Sequence, residues 1–347
     1  MKVLVTGANG HIGANVTREL LAQGHEVRAF VRSSGDLSGL DGLDIELVYG
    51  DVMQLDTLIP AAQGCDKIIH LAAVYKTIAK TAEEIVEPAV VGSRNIFEAA
   101  KSAGIDRIVY TSSIASIGFS TSATKMRDGD DWNDDAQNPY YVAKTQSEKV
   151  AQSLSEQYGI EVIVLCPAIV LGAYDYRVTP SNQLVMDWVN GVGQTYQGGL
   201  NLVDVRDVAE AHVAALTLGE NRRRYVLGGQ NLEVKNIGQL LKAISGVKPL
   251  HLPTPRSITL VFASIVERIS KLIGVKPLFT RDLVFEVVGR YGFYDTSETN
   301  RTFKLSPRSP KDALAGSLAW LIKQQKIRKA VIEKTRRLGI VNLGASV

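Results

Sequence analysis

A glycine-rich turn constrains the fold of this chain more than any other feature of its sequence. Residues 6–13 read TGANGHIG and lie between a short apolar run and an amphipathic helical pattern. In a strand–turn–helix unit, Gly7 permits the tight turn, Gly10 lets the main chain approach a pyrophosphate, and Gly13 allows close packing of the helix. The first N–H groups of the helix would face the anion. The spacing therefore predicts a dinucleotide-binding loop, with contacts from Gly7, Asn9, Gly10, His11, Ile12 and Gly13.

Beyond this turn, the sequence alternates between short apolar runs typical of strands and amphipathic stretches typical of helices. Strands are predicted at Lys2–Thr6, Glu26–Val31, Ile45–Tyr49, Lys67–Leu71, Arg107–Ser112 and Glu161–Leu165. Helices are predicted at Leu55–Gln63, Ala89–Ala103 and Tyr140–Tyr158. A last helix over Asn201–Leu218 and a last strand over Arg224–Leu227 would return to the same sheet. Near-continuous apolar strands joined by helices indicate a parallel sheet covered on both faces, so the predicted fold class is α/β, a doubly wound Rossmann domain.

The chain is long enough for this domain and a second, smaller one, because it has 347 residues. We assign a Rossmann domain to residues 1–170 and 200–230, a smaller, mostly helical substrate-binding cap to 171–199 and 231–321, and a basic tail to 322–347. Within the cap, Ser257–Ile273 carries an apolar helical stripe. Its alternative roles are core packing, a subunit interface, a cover for the pocket and contact with a membrane surface.

The charge distribution excludes a nucleic-acid-binding protein. The net charge is +3, yet between Ile322 and Arg337 seven cations stand against one acid, so the rest of the chain is net negative. A nucleic-acid surface needs cations spread over a folded face. The cations of the tail are interleaved with Ile327, Val331 and Ile332, which would suit an anionic membrane surface or an acidic partner. A solvated terminal helix without a partner is the alternative.

Cysteine use and hydropathy point to the cytoplasm. Cys65 and Cys166 lie far apart, with no CxxC and no cluster with histidine, so neither a disulfide framework nor a metal site is expected. No run reaches the roughly 18 apolar residues of a membrane span, and the first residues lack a signal-peptide pattern. We therefore expect a globular cytoplasmic protein.

The ends of the next three strands supply the rest of the predicted cofactor site. The second strand ends in AFVRS, with no carboxylate to hold the ribose hydroxyls of NAD and with Arg32 where the 2′-phosphate of NADP would lie. NADP(H) is therefore favoured over NAD, and an ordinary surface cation is the alternative for Arg32. Asp51 and Val52 would contact the adenine. After the fourth strand, small side chains would let the main chain pass close to the cofactor at Leu71, Ala72 and Ala73.

Tyr140 and Lys144 are spaced i, i+4 at the start of a predicted helix and therefore lie on one face. A tyrosine phenol has an ordinary pKa of about 10, and a neighbouring ammonium lowers that pKa by favouring the phenolate. Such a pair is suited to general acid/base chemistry. The preceding strand ends in Thr111, Ser112 and Ser113, where a serine hydroxyl can hydrogen-bond a substrate oxygen.

With these motifs, the sequence resembles the short-chain dehydrogenase/reductase superfamily in its extended form, the NAD-dependent epimerase/dehydratase family. The resemblance rests on TGANGHIG, GDV, HLAA, YTSSIAS and YYVAK over about residues 1–230, and it continues more loosely to about Trp320. Within this group, VRAFVR, EPAVVGSRN and YVAKTQSEK are most similar to dihydroflavonol reductases and cinnamoyl-CoA reductases. The stretch Asn182–Gly229 also resembles bacterial hopanoid-associated epimerase-like proteins.

The resemblance implies a role for each site residue. Tyr140 would be the general acid/base, Lys144 would bind the ribose and lower the tyrosine pKa, and Ser113 would polarise the carbonyl. Further cofactor contacts would come from Ser33, Thr111, Ser112, Pro167 and Ile169. Ala89 stands where many members carry an asparagine, which fits the reductases better than the nucleotide-sugar epimerases.

The favoured function is the NADPH-dependent reduction of a ketone or aldehyde to an alcohol. The alternatives are an NAD-dependent nucleotide-sugar epimerase or dehydratase and a cofactor-sensing scaffold without turnover. A nucleotide sugar needs cations for a second pyrophosphate, but Tyr174–Gly199 has only Arg177, alongside apolar residues such as Val185 and Trp188. This composition favours a fairly apolar or aromatic carbonyl substrate, with core packing as the alternative for the apolar side chains. A second copy of the chain, in a homodimer, is a further expected partner.

Overall fold

The computed structural model describes residues 1–73, 82–192, 194–251, 253–273 and 280–339. Its centre is a sheet of seven parallel strands: β1 (Lys2–Thr6), β2 (Glu26–Val31), β3 (Glu46–Tyr49), β4 (Lys67–His70), β5 (Arg107–Thr111), β6 (Glu161–Pro167) and β10 (Arg224–Leu227). The order across the sheet is β3-β2-β1-β4-β5-β6-β10. This is the predicted doubly wound topology. The strand order reverses between β1 and β4, and the carboxyl ends of these strands border the crevice in which such sheets bind ligands.

Helices cover the sheet in two groups. In the first group, α1 (His11–Ala22) packs against α7 (Val205–Ala214). In the second group, α3 (Glu83–Ala103) packs against both α2 (Leu55–Ala62) and α5 (Pro139–Tyr158), and the single turn α4 (Ile114–Ile117) lies beside α5. The predicted helices are confirmed. Helix α3 begins earlier than the predicted start at Ala89, because Pro88 lies inside the helix and not at its first turn.

A second, three-stranded sheet corrects one predicted element. It consists of β7 (Ile169–Leu171), β9 (Gly199–Asp204) and β11 (Gln230–Glu233), with β9 in the middle. The prediction of a single helix over Asn201–Leu218 is wrong at its start, because residues 199–204 form β9 and are buried throughout. Periodicity alone does not distinguish a short, fully buried strand from a buried helical segment. Helix α7 begins only at Val205. Asp204 is its N-cap, and the Asp204 side chain accepts a hydrogen bond from the Arg206 N–H at 2.9 Å.

The C-terminal half is mostly helical, as predicted. Its helices are α6 (Pro180–Asn190), α8 (Val234–Ser245), α9 (Arg256–Leu272), α10 (Arg281–Val287), α11 (Ser297–Phe303), α12 (Pro310–Lys323) and α13 (Lys329–Leu338). A short parallel pair, β8 (Gln194–Thr195) and β12 (Leu250–His251), joins two segments of this half.

The described part of the predicted basic tail packs on the cap. Helix α13 lies against α8, and both Ile327 and Val331 are buried in the main core, with Ile332 partly buried beside them. These side chains therefore do not form the exposed apolar stripe that a membrane contact of the tail requires. The rest of the tail, residues 340–347, lies outside the described residues.

Candidate active site

The glycine-rich turn forms a main-chain cradle between β1 and α1. Gly7 has a φ of +70°, and a Cβ on it would lie 2.9 Å from the Ala72 nitrogen. A Cβ on Gly13 would lie 2.2 Å from the Gly7 carbonyl oxygen. A side chain is therefore excluded at both positions, by conformation at the first and by packing at both. At Gly10, directly before α1, the Gly7 oxygen at 3.3 Å is the one described atom near the Cβ position, so this side of the turn is open beside the helix N–H groups.

The other residues of the turn use their side chains to tie it to its neighbours. Asn9 Nδ2 donates a hydrogen bond to the Asp36 carbonyl at 2.9 Å. His11 is buried, and its Nδ1 lies 3.9 Å from an Asp175 carboxylate oxygen. Burial lowers the pKa of His11, although the Asp175 carboxylate acts in the opposite direction. Ile12 packs against the core. Because these side chains contact other parts of the protein, an anion at the turn would bind to main-chain N–H groups.

Arg32 and Ser33 follow β2, and both side chains are exposed. The Gly35 N–H donates to the Arg32 carbonyl at 2.9 Å, so a tight turn follows the strand. Arg177, from the segment after β7, reaches the same turn, with its Nη2 3.7 Å from the Cβ position of Gly35. The sequence predicts a position on the substrate side for Arg177, whereas the structure places this residue beside the turn that begins at Arg32. No local sequence signal indicates this approach, because the two arginines are far apart in the chain.

The carboxyl ends of β3 and β4 border the same crevice. Asp51 Oδ1 accepts the Met53 N–H at 2.9 Å, and the Val52 Cγ2 lies 3.2 Å from the Cβ position of Gly92 on α3. Leu71 is half-buried, and its N–H donates to the Thr6 carbonyl at 3.1 Å. The contact of Ala72 with Gly7 completes the wall, and Ala73 next to it is exposed. The structure therefore brings the predicted residues of these two strand ends to one edge of the sheet.

Tyr140 and Lys144 line one cleft at the carboxyl ends of β4 and β5. Its wall also includes His70, Ala72, Ala73, Tyr110, Thr111 and, from α3, Ala89 and Ser93. Asn138 is the N-cap of α5, and its Oδ1 accepts the Tyr140 N–H at 3.0 Å. This cap fixes the first turn of the helix, so the tyrosine and the lysine one turn later present the same face to the cleft.

Lys144 is buried, and its Nζ donates a hydrogen bond to the Thr111 carbonyl at 3.1 Å. Burial lowers the pKa of Lys144 to about 8, while Cys166 and Glu148 act in the opposite direction. His70 shares the cleft and bonds Thr6 Oγ1 through Nδ1 at 2.8 Å. Burial and then the charge of Lys144 lower the pKa of His70 to about 3, so this histidine is neutral at physiological pH.

The three residues after β5 have different surroundings. Thr111 is buried, with its Oγ1 2.9 Å from His212 Nε2. The Ser112 hydroxyl donates to the buried carboxylate of Glu148. Ser113 is half-buried and caps α4, because its Oγ accepts the Ala115 N–H at 3.1 Å. Among the described residues, Thr111 lines the cleft of Tyr140, whereas Ser113 lies outside that lining.

A buried polar cluster lies next to these residues and is not predicted from the sequence. Glu148, one turn after Lys144 on α5, forms an ion pair with Arg224 of β10. The Ser116 hydroxyl donates to the same carboxylate at 2.6 Å. Arg224 also stacks on the ring of Trp132, 3.7 Å from its centre. The one sequence signal for this cluster is the glutamate of YVAKTQSEK, four positions after the lysine.

Two of the predicted cofactor contacts lie at the junction of β6 and β7. Pro167 ends β6 and is buried, and Ile169 begins β7 and is half-buried. Val185 and Trp188 of α6 are both about 1% exposed and belong to the core. They pack the cap and do not form an apolar wall for a substrate. Core packing, the alternative stated for these side chains, is therefore confirmed.

The crevice offers the groups that a nicotinamide dinucleotide requires. Its main-chain cradle excludes side chains at Gly7 and Gly13, exposed guanidinium groups flank the turn after β2, and a buried ammonium lies at the other end. These donors suit an anionic pyrophosphate and a ribose. The residues present therefore fit such a cofactor.

Comparison with known proteins agrees with this geometry. The chain matches the NAD dependent epimerase/dehydratase family over residues 3–228. It is 34% identical to a putative dihydroflavonol 4-reductase of Synechocystis sp. over 331 residues, which cover 91% of this chain and 93% of that protein. It is 29% identical to sterol demethylase protein B of Methylococcus capsulatus over 327 residues, or 92% of this chain and 98% of that protein. The crystal structure of gox2253 superposes with a TM-score of 0.81 at 29% identity, over 94% of this chain and 99% of that one.

Proposed function

The chain belongs to the NAD dependent epimerase/dehydratase family, and on this basis we propose that it reduces a ketone or aldehyde to an alcohol with NADPH. The observation that carries the proposal is the position of Tyr140 and Lys144 on one wall of a cleft beside the glycine-rich turn. Ala72 connects the cleft to the glycine-rich turn, because it lines the cleft and also contacts Gly7.

The residues of the cleft supply the proton chemistry of such a reduction. NADPH, when bound, supplies the hydride. The Tyr140 hydroxyl donates a proton to the carbonyl oxygen of the substrate, and Lys144 lowers the cost of the resulting phenolate through its charge. The Thr111 carbonyl holds Lys144 in place through the hydrogen bond of 3.1 Å. Ser113, two residues after Thr111, would polarise the substrate carbonyl.

The proposed preference for NADPH rests on the turn after β2. Arg32 is exposed at the end of the strand, and Arg177 approaches the same turn from the cap. A guanidinium group suits a phosphate because it forms two parallel, charge-assisted hydrogen bonds. A 2′-phosphate is present in NADPH and absent from NADH, so these two side chains would act on the first cofactor alone.

The proposed substrate class is a fairly apolar or aromatic carbonyl compound. The position of Arg177 supports this class. Because this residue lies beside the turn after β2, it is not placed to bind the pyrophosphate of a nucleotide sugar. An NAD-dependent nucleotide-sugar epimerase or dehydratase, the alternative, would need other cations there.

Two measurements test this function. Denaturation of the purified protein followed by identification of the released nucleotide distinguishes the two activities. Exchangeable NADP supports the reductase, and tightly held NAD supports the epimerase or dehydratase. A panel of aliphatic and aromatic aldehydes and ketones, followed by the oxidation of NADPH, then identifies the substrate class. If no carbonyl compound of the panel is reduced while nucleotide sugars are converted, the proposed function is wrong.

A further inference from the structure

Helix α9 exposes an apolar face. Six of its side chains are between 47% and 87% exposed and share one side of the helix: Ile258, Val261, Phe262, Ile265, Ile269 and Leu272. The opposite side packs on α10, where Ala263 is buried against Val284 and Val288. The inward face is therefore satisfied, and the outward stripe is a second, separate apolar surface. Contiguous apolar surface of this kind marks an interaction site. Core packing, one alternative stated for this stripe, does not explain it.

The charges on this helix suit an anionic surface. Among its exposed side chains in the described residues, Arg268 is the charged one, and it borders the apolar stripe. The sequence of α9 contains three cations and one acid, Glu267. The Glu267 carboxylate accepts the Arg281 N–H at 2.8 Å and is therefore held at the N-terminal end of α10. The exposed face thus combines apolar side chains with a cation and presents no carboxylate.

We propose that this face of α9 binds the surface of a lipid bilayer. An amphipathic helix with cations beside its apolar face inserts about 5–10 Å into the boundary between headgroups and acyl chains. The helix has 17 residues, and no helix in the described part of the chain is long and apolar enough to cross a membrane, so α9 would lie on the bilayer. A stable dimer interface uses about 20–30 residues of each partner, far more than the face of this one helix offers.

The proposed surface is one helix away from the start of the catalytic helix. Glu286 of α10 accepts the main-chain N–H groups of Gln137 at 2.8 Å and Asn138 at 3.2 Å. Asp282, on the same helix, accepts the Asn138 side-chain amide at 2.9 Å. Asn138 caps α5 two residues before Tyr140. Binding through α9 would therefore hold the cap and the active-site cleft close to the bilayer, whatever carbonyl compound is reduced there.

Co-sedimentation with vesicles of phosphatidylglycerol and phosphatidylcholine tests the proposal on the full chain. The test variant is Ile258→Ser/Ile265→Ser/Ile269→Ser. The matched control is Met126→Ser/Val192→Ser/Leu250→Ser, which makes the same kind of change at residues that are 54–65% exposed outside α9. Melting temperatures of both variants should stay near that of the wild type, because none of the six side chains is buried.

We expect the wild type and the control to pellet with the vesicles, more weakly as salt rises. The affinity of the α9 variant for the vesicles should be lower by about tenfold or more, because three apolar side chains that would be buried in the bilayer have been removed. Equal pelleting of the two variants would place the contact elsewhere, for example on the basic tail, and overturn the proposal. Absence of wild-type binding would also overturn it. A wild-type dimer that the α9 variant dissociates, without vesicle binding, would assign the face to a second copy of the chain.

Discussion

Glu148 of α5 and Arg224 of β10 form an ion pair whose side chains are 0% and 4% exposed. The pair joins the helix that carries Tyr140 and Lys144 to the last strand of the central sheet. The same carboxylate accepts the hydroxyls of Ser112 and Ser116, which flank Ser113 in the chain. The cluster therefore positions both elements that carry the candidate catalytic groups.

Replacement of one partner of this pair should destabilise the protein strongly. Glu148→Gln leaves the Arg224 guanidinium buried without its counter-charge, which costs about 3–5 kcal/mol in the free energy of unfolding. Urea unfolding measures this loss. The matched control is Glu161→Gln, which removes a carboxylate that is 47% exposed and lies 2.7 Å from Arg107. Its effect should stay below about 1 kcal/mol. Similar losses in both variants would contradict the role assigned to the buried cluster.

The activity at alkaline pH should follow the ionisation of Lys144. Burial lowers the pKa of this ammonium to about 8, so the charged form that is proposed to bind the ribose and assist Tyr140 disappears as pH rises through that value. We expect kcat/KM for NADPH to fall on the alkaline side, because this parameter reports the ionisation of the free enzyme. In Lys144→Arg the cation persists, so the decline should move to much higher pH. An unchanged alkaline limb in the arginine variant would assign it to another group.

The choice of cofactor should depend on Arg32 and, to a smaller extent, on Arg177. Arg32→Ala removes a charge-assisted contact with the 2′-phosphate, so NADPH should bind about tenfold to a hundredfold more weakly. The affinity for NADH should change little. Titration of cofactor fluorescence measures both affinities. Arg301→Ala, on α11 at the opposite edge of the sheet, is the control. Equal losses for NADPH and NADH in Arg32→Ala would exclude a contact with the 2′-phosphate.

Buried histidines should make the fold sensitive to acid. Burial lowers the pKa of His212 to about 4, although the hydrogen bond to the Val208 carbonyl acts in the opposite direction. The unfolded chain binds this proton at a pH of about 6.5, so stability should fall as the pH drops from that value toward about 4. His212→Gln should be less stable at neutral pH, with a shallower decline in acid. Urea midpoints between these pH values measure both slopes. Parallel declines in the two proteins would exclude His212 as the source.

Features that depend only on residues close together in the chain could be predicted from the sequence. The glycine turn, the strand ends and the spacing of Tyr140 and Lys144 each depend on a few consecutive residues, and the structure has them in those places. Asp204 shows the limit of this approach. The buried run before it forms β9 in a second sheet, and periodicity could not distinguish that strand from the helix that follows.

Features that join distant parts of the chain could not be predicted. Arg224 reaches Glu148 from 76 positions away, and Arg177 reaches the turn after β2 from the cap. The sequence also could not predict which apolar stripes are buried, because buried and exposed stripes have the same residue pattern. Ile327 and Val331 of the tail are in the core, whereas the stripe of α9 faces outward. Tertiary packing decides these outcomes.

Tyr140→Phe removes the proposed proton donor of the reduction and keeps the ring. We expect kcat for the reduction of a carbonyl compound to fall by about two to four orders of magnitude, while the dissociation constant for NADPH stays nearly unchanged. Tyr158→Phe, the same change at the far end of α5, where the hydroxyl donates to Glu98, should retain wild-type turnover. A Tyr140→Phe enzyme that keeps most of its activity would contradict the proposed mechanism.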